Sequence, residues 1–161
     1  MRIRLKLGVI NIQLKIKGWH LCADDEGPYD NWCSIELYLS ELMDYHSESS
    51  VMTSYEVSEL SDLIDCFLNG ELNGTVRLDF LEPDFEFVFL PSDSDSDAQW
   101  IIHFWNGALS DTFLTIGLEK DDLLALQVYL KLITKQTTKS DPIVLEYIEK
   151  GILLPEYKWE N

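Results

Sequence analysis

Apolar residues fall on every second position as the chain opens. Ile3, Leu5 and Leu7 alternate with Arg2, Arg4 and Lys6; after Gly8, Ile10, Ile12, Leu14 and Ile16 alternate with Asn11, Gln13, Lys15 and Lys17. A period of two with one apolar face predicts two half-buried antiparallel strands joined by a short turn. Residues 22–31 form a polar loop in which Gly27-Pro28 marks a turn. Alternation then resumes, with Cys33, Ile35, Leu37 and Leu39 on one side and Trp32, Ser34, Glu36 and Tyr38 on the other. That is a third strand. The next stretch, MDYHSESSVM, fits either a loop or a short strand.

The period changes at TSYEVSELSDLIDCFLNGEL. Val57, Leu60, Leu63, Ile64, Phe67 and Leu68 follow helical spacing. Thr53 and Glu56 make a capping box at the start, and Asn69-Gly70 ends the helix. Strand signals return in TVRLDFL and DFEFVFL around Glu82-Pro83, and in QWIIHFW and TFLTIGL around the turn dipeptide Asn106-Gly107. A second helix, EKDDLLALQVYLKLITKQ, carries Leu123, Leu126, Leu130 and Ile133 as its inner stripe, and a short helix is expected near Pro142 to Lys150. Strands then helix, twice over, predicts an α+β fold: a mostly antiparallel sheet with the two main helices packed on one face. No composition break is long enough for a linker, so residues 1–161 are expected to form a single domain.

Composition changes the picture through charge. There are 29 acidic and 12 basic side chains, a net of −17. Residues 1–17 hold Arg2, Arg4, Lys6, Lys15 and Lys17 and no acid, whereas residues 18–119 hold 22 acids and the single base Arg77. Such a surface disfavours nucleic acid and anionic membranes, both of which need Lys and Arg. It attracts a basic protein and can steer it from a distance; acidity also serves solubility alone. The three cysteines, Cys22, Cys33 and Cys66, lack a CxxC spacing and read as free thiols in a reducing cytoplasm. No signal-peptide core and no apolar run of about 20 residues appears, so no membrane attachment is expected.

Candidate chemistry is thin. Asp93, Asp95 and Asp97 imitate the start of a calcium loop, but Ala98 stands where the turn needs Gly and Phe104 where a bidentate Glu belongs. His20, His46 and His103 are scattered, and His20-x-Cys22 lacks a second ligand pair. There is no nucleophile elbow and no glycine-rich phosphate loop. No metal and no cofactor is expected. Paired carboxylates remain: Asp79, Glu82, Asp84 and Glu86 crowd LDFLEPDFEFVFLP, and two such groups can run a hydrolase when one is desolvated. Strand alternation explains them more simply. Leu78 and Phe80 face inward, as do Phe85, Phe87 and Phe89, which turns Asp79 and Glu86 outward.

Thr53, Ser54 and Glu56 at the helix start, followed by Phe80, Glu82, Pro83, Asp84 and Phe87 in an F-x-EPD-x-x-F strand pair, resemble the WapI-like immunity proteins of bacterial polymorphic toxin systems. A later segment from Phe113 through Leu130 is similar as well, so the resemblance spans roughly residues 30–132. It implies a non-enzymatic protein that binds and neutralises a cognate toxin domain, many of which are basic and attack nucleic acid. The acidic loops then become the expected contacts: Asp24, Asp25 and Glu26 with Tyr29, and Asp93, Asp95 and Asp97 with Trp100, the two rings acting as anchors. A small carboxylate-dependent hydrolase and a general acidic interaction domain are the alternatives. The oligomeric state stays open, with Trp32 and Trp105 as candidate self-contacts.

Overall fold

The computed structural model describes residues 1–23, 27, 30–90, 97–104 and 112–155. The opening alternation folds as β1 (Arg2–Leu7) and β2 (Ile10–Lys17), paired antiparallel from Ile3↔Leu14 to Leu7↔Ile10. The reversal between them uses Gly8 at φ 62, in the left-handed region that glycine enters without a Cβ clash. β3 (Trp32–Ser40) pairs with β2, and β4 (Tyr45–Thr53) with β3. The ambiguous MDYHSESSVM stretch is therefore largely strand. It lacks a clean apolar alternation because β4 is an edge, with a bulge opposite Cys33–Ile35. Two residues near the C-terminus, β9 (Leu153–Leu154), add to β1 and complete a five-stranded sheet in the order β4-β3-β2-β1-β9.

A second sheet holds β5 (Val76–Asp79), β6 (Phe85–Phe89), β7 (Ala98–His103) and β8 (Phe113–Leu118), all antiparallel and in chain order. The α+β class and the antiparallel pairing agree with the hydrophobic pattern. The division of the strands into two sheets is new information: alternation marks which face of a strand is buried, not which strands are neighbours.

Helices α1 (Ser54–Leu68) and α2 (Lys120–Ile133) lie against each other, with Lys131 and Asp65 paired at 3.0 Å across them. α1 reaches the second sheet through Phe67, whose ring centroid lies 5.6 Å from that of Phe89. α2 reaches the first through the buried Tyr129, whose hydroxyl accepts the Ile16 N–H at 2.7 Å. α3 (Pro142–Glu149) is capped by Asp141, which accepts the Ile143 N–H, and it leads into β9. Leu123, Leu126 and Leu130 are fully buried, as the inner stripe of α2 requires, while Ile133 is half-buried at its end. One cluster of buried side chains draws on both sheets and all three helices. Its centre in the second sheet is aromatic: Trp100 stacks on Phe87 at 5.3 Å and meets Phe85 edge-on.

Candidate interaction surface

The outward side of the first sheet collects the basic N-terminus. Lys15 stands opposite Glu36, which in turn stands opposite Glu48. Lys17 pairs with Glu36 and, at 3.0 Å, with Glu48. The bond to Glu36 is the main reason the Lys17 ammonium is held above its ordinary range, and Lys17 in turn holds Glu48 below the usual carboxylate range. Arg2 is buried and reaches Gln13 at 3.4 Å. Part of the positive charge on β1 and β2 is thus taken up within the chain.

On the second sheet, Asp79 and Glu86 face outward directly opposite each other. Two like charges at that spacing repel. Arg77 resolves the conflict: its Nε donates to Asp79 at 2.7 Å and its Nη2 to Glu86. The guanidinium is held above its ordinary range, first by its bond to Asp79 and then by the Glu86 charge. The other Glu86 oxygen lies 2.6 Å from Nε2 of His103, whose ring sits 5.7 Å from that of the exposed Phe113. The outward acids are therefore members of a ladder of ion pairs and hydrogen bonds running across β5, β6 and β7. Alternation gives their direction; it does not give Arg77 and His103 as their partners, which depend on register.

Glu56 is the carboxylate most enclosed by protein among the described residues, at 7% exposure. One oxygen accepts the Thr53 N–H at 2.7 Å and the Thr53 hydroxyl at 3.0 Å, closing the capping box; the other accepts the Leu81 N–H at 2.5 Å. It ties the start of α1 to the Leu81–Asp84 turn between β5 and β6. Its role is structural, since every contact is to backbone or to its own cap.

The residues expected to contact a partner are placed unevenly. Asp24, Asp25, Glu26, Tyr29, Asp93 and Asp95 lie outside the described residues, as do Trp105 and the Asn106-Gly107 turn. Asp97 is half-buried, its carbonyl accepting the Leu90 N–H and its N–H donating to Leu118, so its backbone secures the ends of three strands. Trp100 is 1% exposed. The expectation that its ring anchors a partner does not suit this position, because the inward face of β7 claims the indole for the core. Trp32 is half-buried at the start of β3. Cys22 accepts a hydrogen bond from the Asn31 side-chain amide at 2.8 Å, and burial pushes the Cys33 thiol up. Among the described residues no three His, Cys, Asp or Glu side chains converge as a metal site requires, and no helix is long and apolar enough to cross a membrane.

The described surface thus presents carboxylates paired with Lys, Arg and His side chains, together with exposed apolar side chains, on an α+β frame. Compared with known families, residues 4–138 match the model of the immunity protein WapI-like family. The match covers most of the chain, and the chain belongs to that family. No curated protein and no solved structure matches it.

Proposed function

We propose that this chain binds a cognate toxin domain in the cytoplasm and blocks it without catalysis or a cofactor, and that the toxin domain is basic and acts on nucleic acid. The carrying observation is the charge of residues 18–119, 22 acids against Arg77 alone, in a member of an immunity family. A nuclease cleft is built to hold phosphates, so it presents Lys and Arg. An acidic protein fits such a cleft with its carboxylates where phosphates would lie. The pairing of Lys15 and Lys17 with Glu36 and Glu48 is consistent with this reading, because it engages two of the few basic side chains within the chain, and the acidic excess of the sequence remains.

The acidic loops holding Asp24, Asp25 and Glu26, and Asp93, Asp95 and Asp97, with Tyr29 beside the first, are the proposed steering contacts. Trp100 is left out because it is buried. The hydrolase alternative is less favoured, because Asp79 is engaged by Arg77, and Glu86 by Arg77 and His103. The test is co-expression of the chain with the toxic domain encoded beside it, followed by co-purification and a nucleic-acid cleavage assay. Rescue of growth, a stable complex and loss of cleavage are expected; absence of a complex overturns the proposal.

A further inference from the structure

Open sheets end in strands with unpaired N–H and C=O groups, and proteins normally blunt such edges with charge, proline, bulges or shortness. Among the described residues the four edges are β4, β9, β5 and β8. β9 has two residues. β4 carries His46 and Glu48 and a bulge. β5 has four residues and holds Arg77 and Asp79. β8 has none of these devices. Its six residues, FLTIGL, contain no charge and no proline, and it runs in unbroken register with β7 from Ala98↔Leu118 to His103↔Phe113.

The hydrogen-bond phase shows which groups are open. The Phe104 N–H donates across to Thr112, while the His103 N–H donates the other way, to Asp84. Even-numbered residues of β7 therefore serve β8, so Leu114, Ile116 and Leu118 bond to β7. Phe113, Thr115 and Gly117 direct their N–H and C=O groups to the far edge. No strand among the described residues pairs there.

A groove of about 440 Å³ runs beside this edge, lined by Leu114, Thr115 and Ile116 on one side and by Val9 and Leu42 on the other. Val9 is 69% exposed and Leu42 57%, large apolar side chains at the tips of two hairpins. Glu119 and Asp122 also line the groove, against Lys6 as the single base among the described residues.

We infer that β8 is the docking edge for the partner: an extended, basic segment of the toxin domain adds to the second sheet along Phe113–Leu118, seats apolar side chains against Val9 and Leu42, and places Lys or Arg near Glu119 and Asp122. Main-chain bonds supply affinity in this mode, and alternate side-chain seats supply specificity. Charge selects the occupant. A second copy of this chain would bring another −17 to the same contact, whereas a basic segment is attracted to it.

This inference rests on the toxin-binding reading, and the test separates the two. Thr115→Pro removes an outward N–H while leaving the β7 ladder, a position where an edge strand tolerates proline. Thr115→Lys installs the charge that natural edges use and keeps the backbone donor, so it serves if the proline variant fails to fold. Both are titrated against the purified toxic domain encoded beside the chain, with circular dichroism as the fold control. The folded variants are expected to lose about 100-fold in affinity, and amide exchange at Thr115 and Gly117 is expected to slow in the wild-type complex. If wild type and both variants bind equally, or those amides stay unprotected, the docking edge is overturned while toxin binding stands. If wild type does not bind, the toxin-binding reading falls and the docking edge with it. If wild type alone is a dimer and Thr115→Pro a monomer, the edge belongs to a second copy and the inference is overturned.

Discussion

The carboxylate of Glu56 accepts the backbone N–H of Leu81 at 2.5 Å, joining the first turn of α1 to the turn before β6. The two segments that carry the family resemblance, Thr53–Glu56 and Phe80–Phe87, are thus one physical unit. Glu56 meets three donors with two oxygens. Glu56→Gln leaves one donor facing an amide N–H₂, and a buried donor without an acceptor costs about 1–3 kcal/mol. Urea melts are expected to show a loss in that range. Thr53→Ala is expected to cost about 1 kcal/mol, and the double variant less than the sum, because the two residues share bonds. An unchanged midpoint for Glu56→Gln would contradict this role.

Tyr129 ties α2 to β2 through the Ile16 N–H, and burial pushes its phenol well above the ordinary value of 10. The unfolded chain ionises this group above about pH 10 while the folded chain keeps the proton. The folded state then binds more protons, so stability falls as pH rises from there. Tyr129→Phe is expected to cost about 1–3 kcal/mol at pH 7 by stranding the Ile16 N–H. It is also expected to flatten the alkaline loss, as read from melts between pH 8 and 11.

Trp100 belongs to the aromatic core with Phe85 and Phe87. Trp100→Ala is expected to destabilise by about 3–5 kcal/mol, the range for deleting a large buried ring. Trp100→Phe is expected to retain partner affinity where the protein stays folded. A large loss of affinity in a fully folded Trp100→Phe protein would return this residue to the interface.

Reversing Asp24, Asp25 and Glu26 to Lys, or Asp93 and Asp95 to Lys, is expected to slow association with the toxic domain about tenfold or more at low salt and to weaken its salt dependence. Dissociation is expected to change less. Stopped-flow rates at two ionic strengths check this. Rates unchanged at low salt would remove the acidic loops from the encounter.

The strand and helix pattern was legible because one-sided burial writes itself as period two or 3.6: β1, β2, β3 and α1 follow directly from their apolar positions. β4 was obscure because an edge strand with Ser47, Ser49 and Ser50 has little to bury. β9 was missed because two leucines make no period. The outward aim of Asp79 and Glu86 could be read, but Arg77 and His103 as their partners could not, since both depend on strand register. Trp100 misled because an aromatic beside an acidic loop looks like an anchor, while its neighbours Ala98 and Ile102 set it on the inward face. The docking edge was invisible: whether a strand is central or terminal is decided by the sheet, not by the strand.

The central claim is that this chain protects by binding a basic toxin domain. Its most direct test is the dissociation constant of the purified chain with the toxic domain encoded beside it, measured alongside that domain's cleavage activity. A one-to-one complex of nanomolar affinity whose formation abolishes cleavage in proportion to occupancy is the predicted result. No measurable complex, with cleavage unchanged at excess chain, would contradict the account.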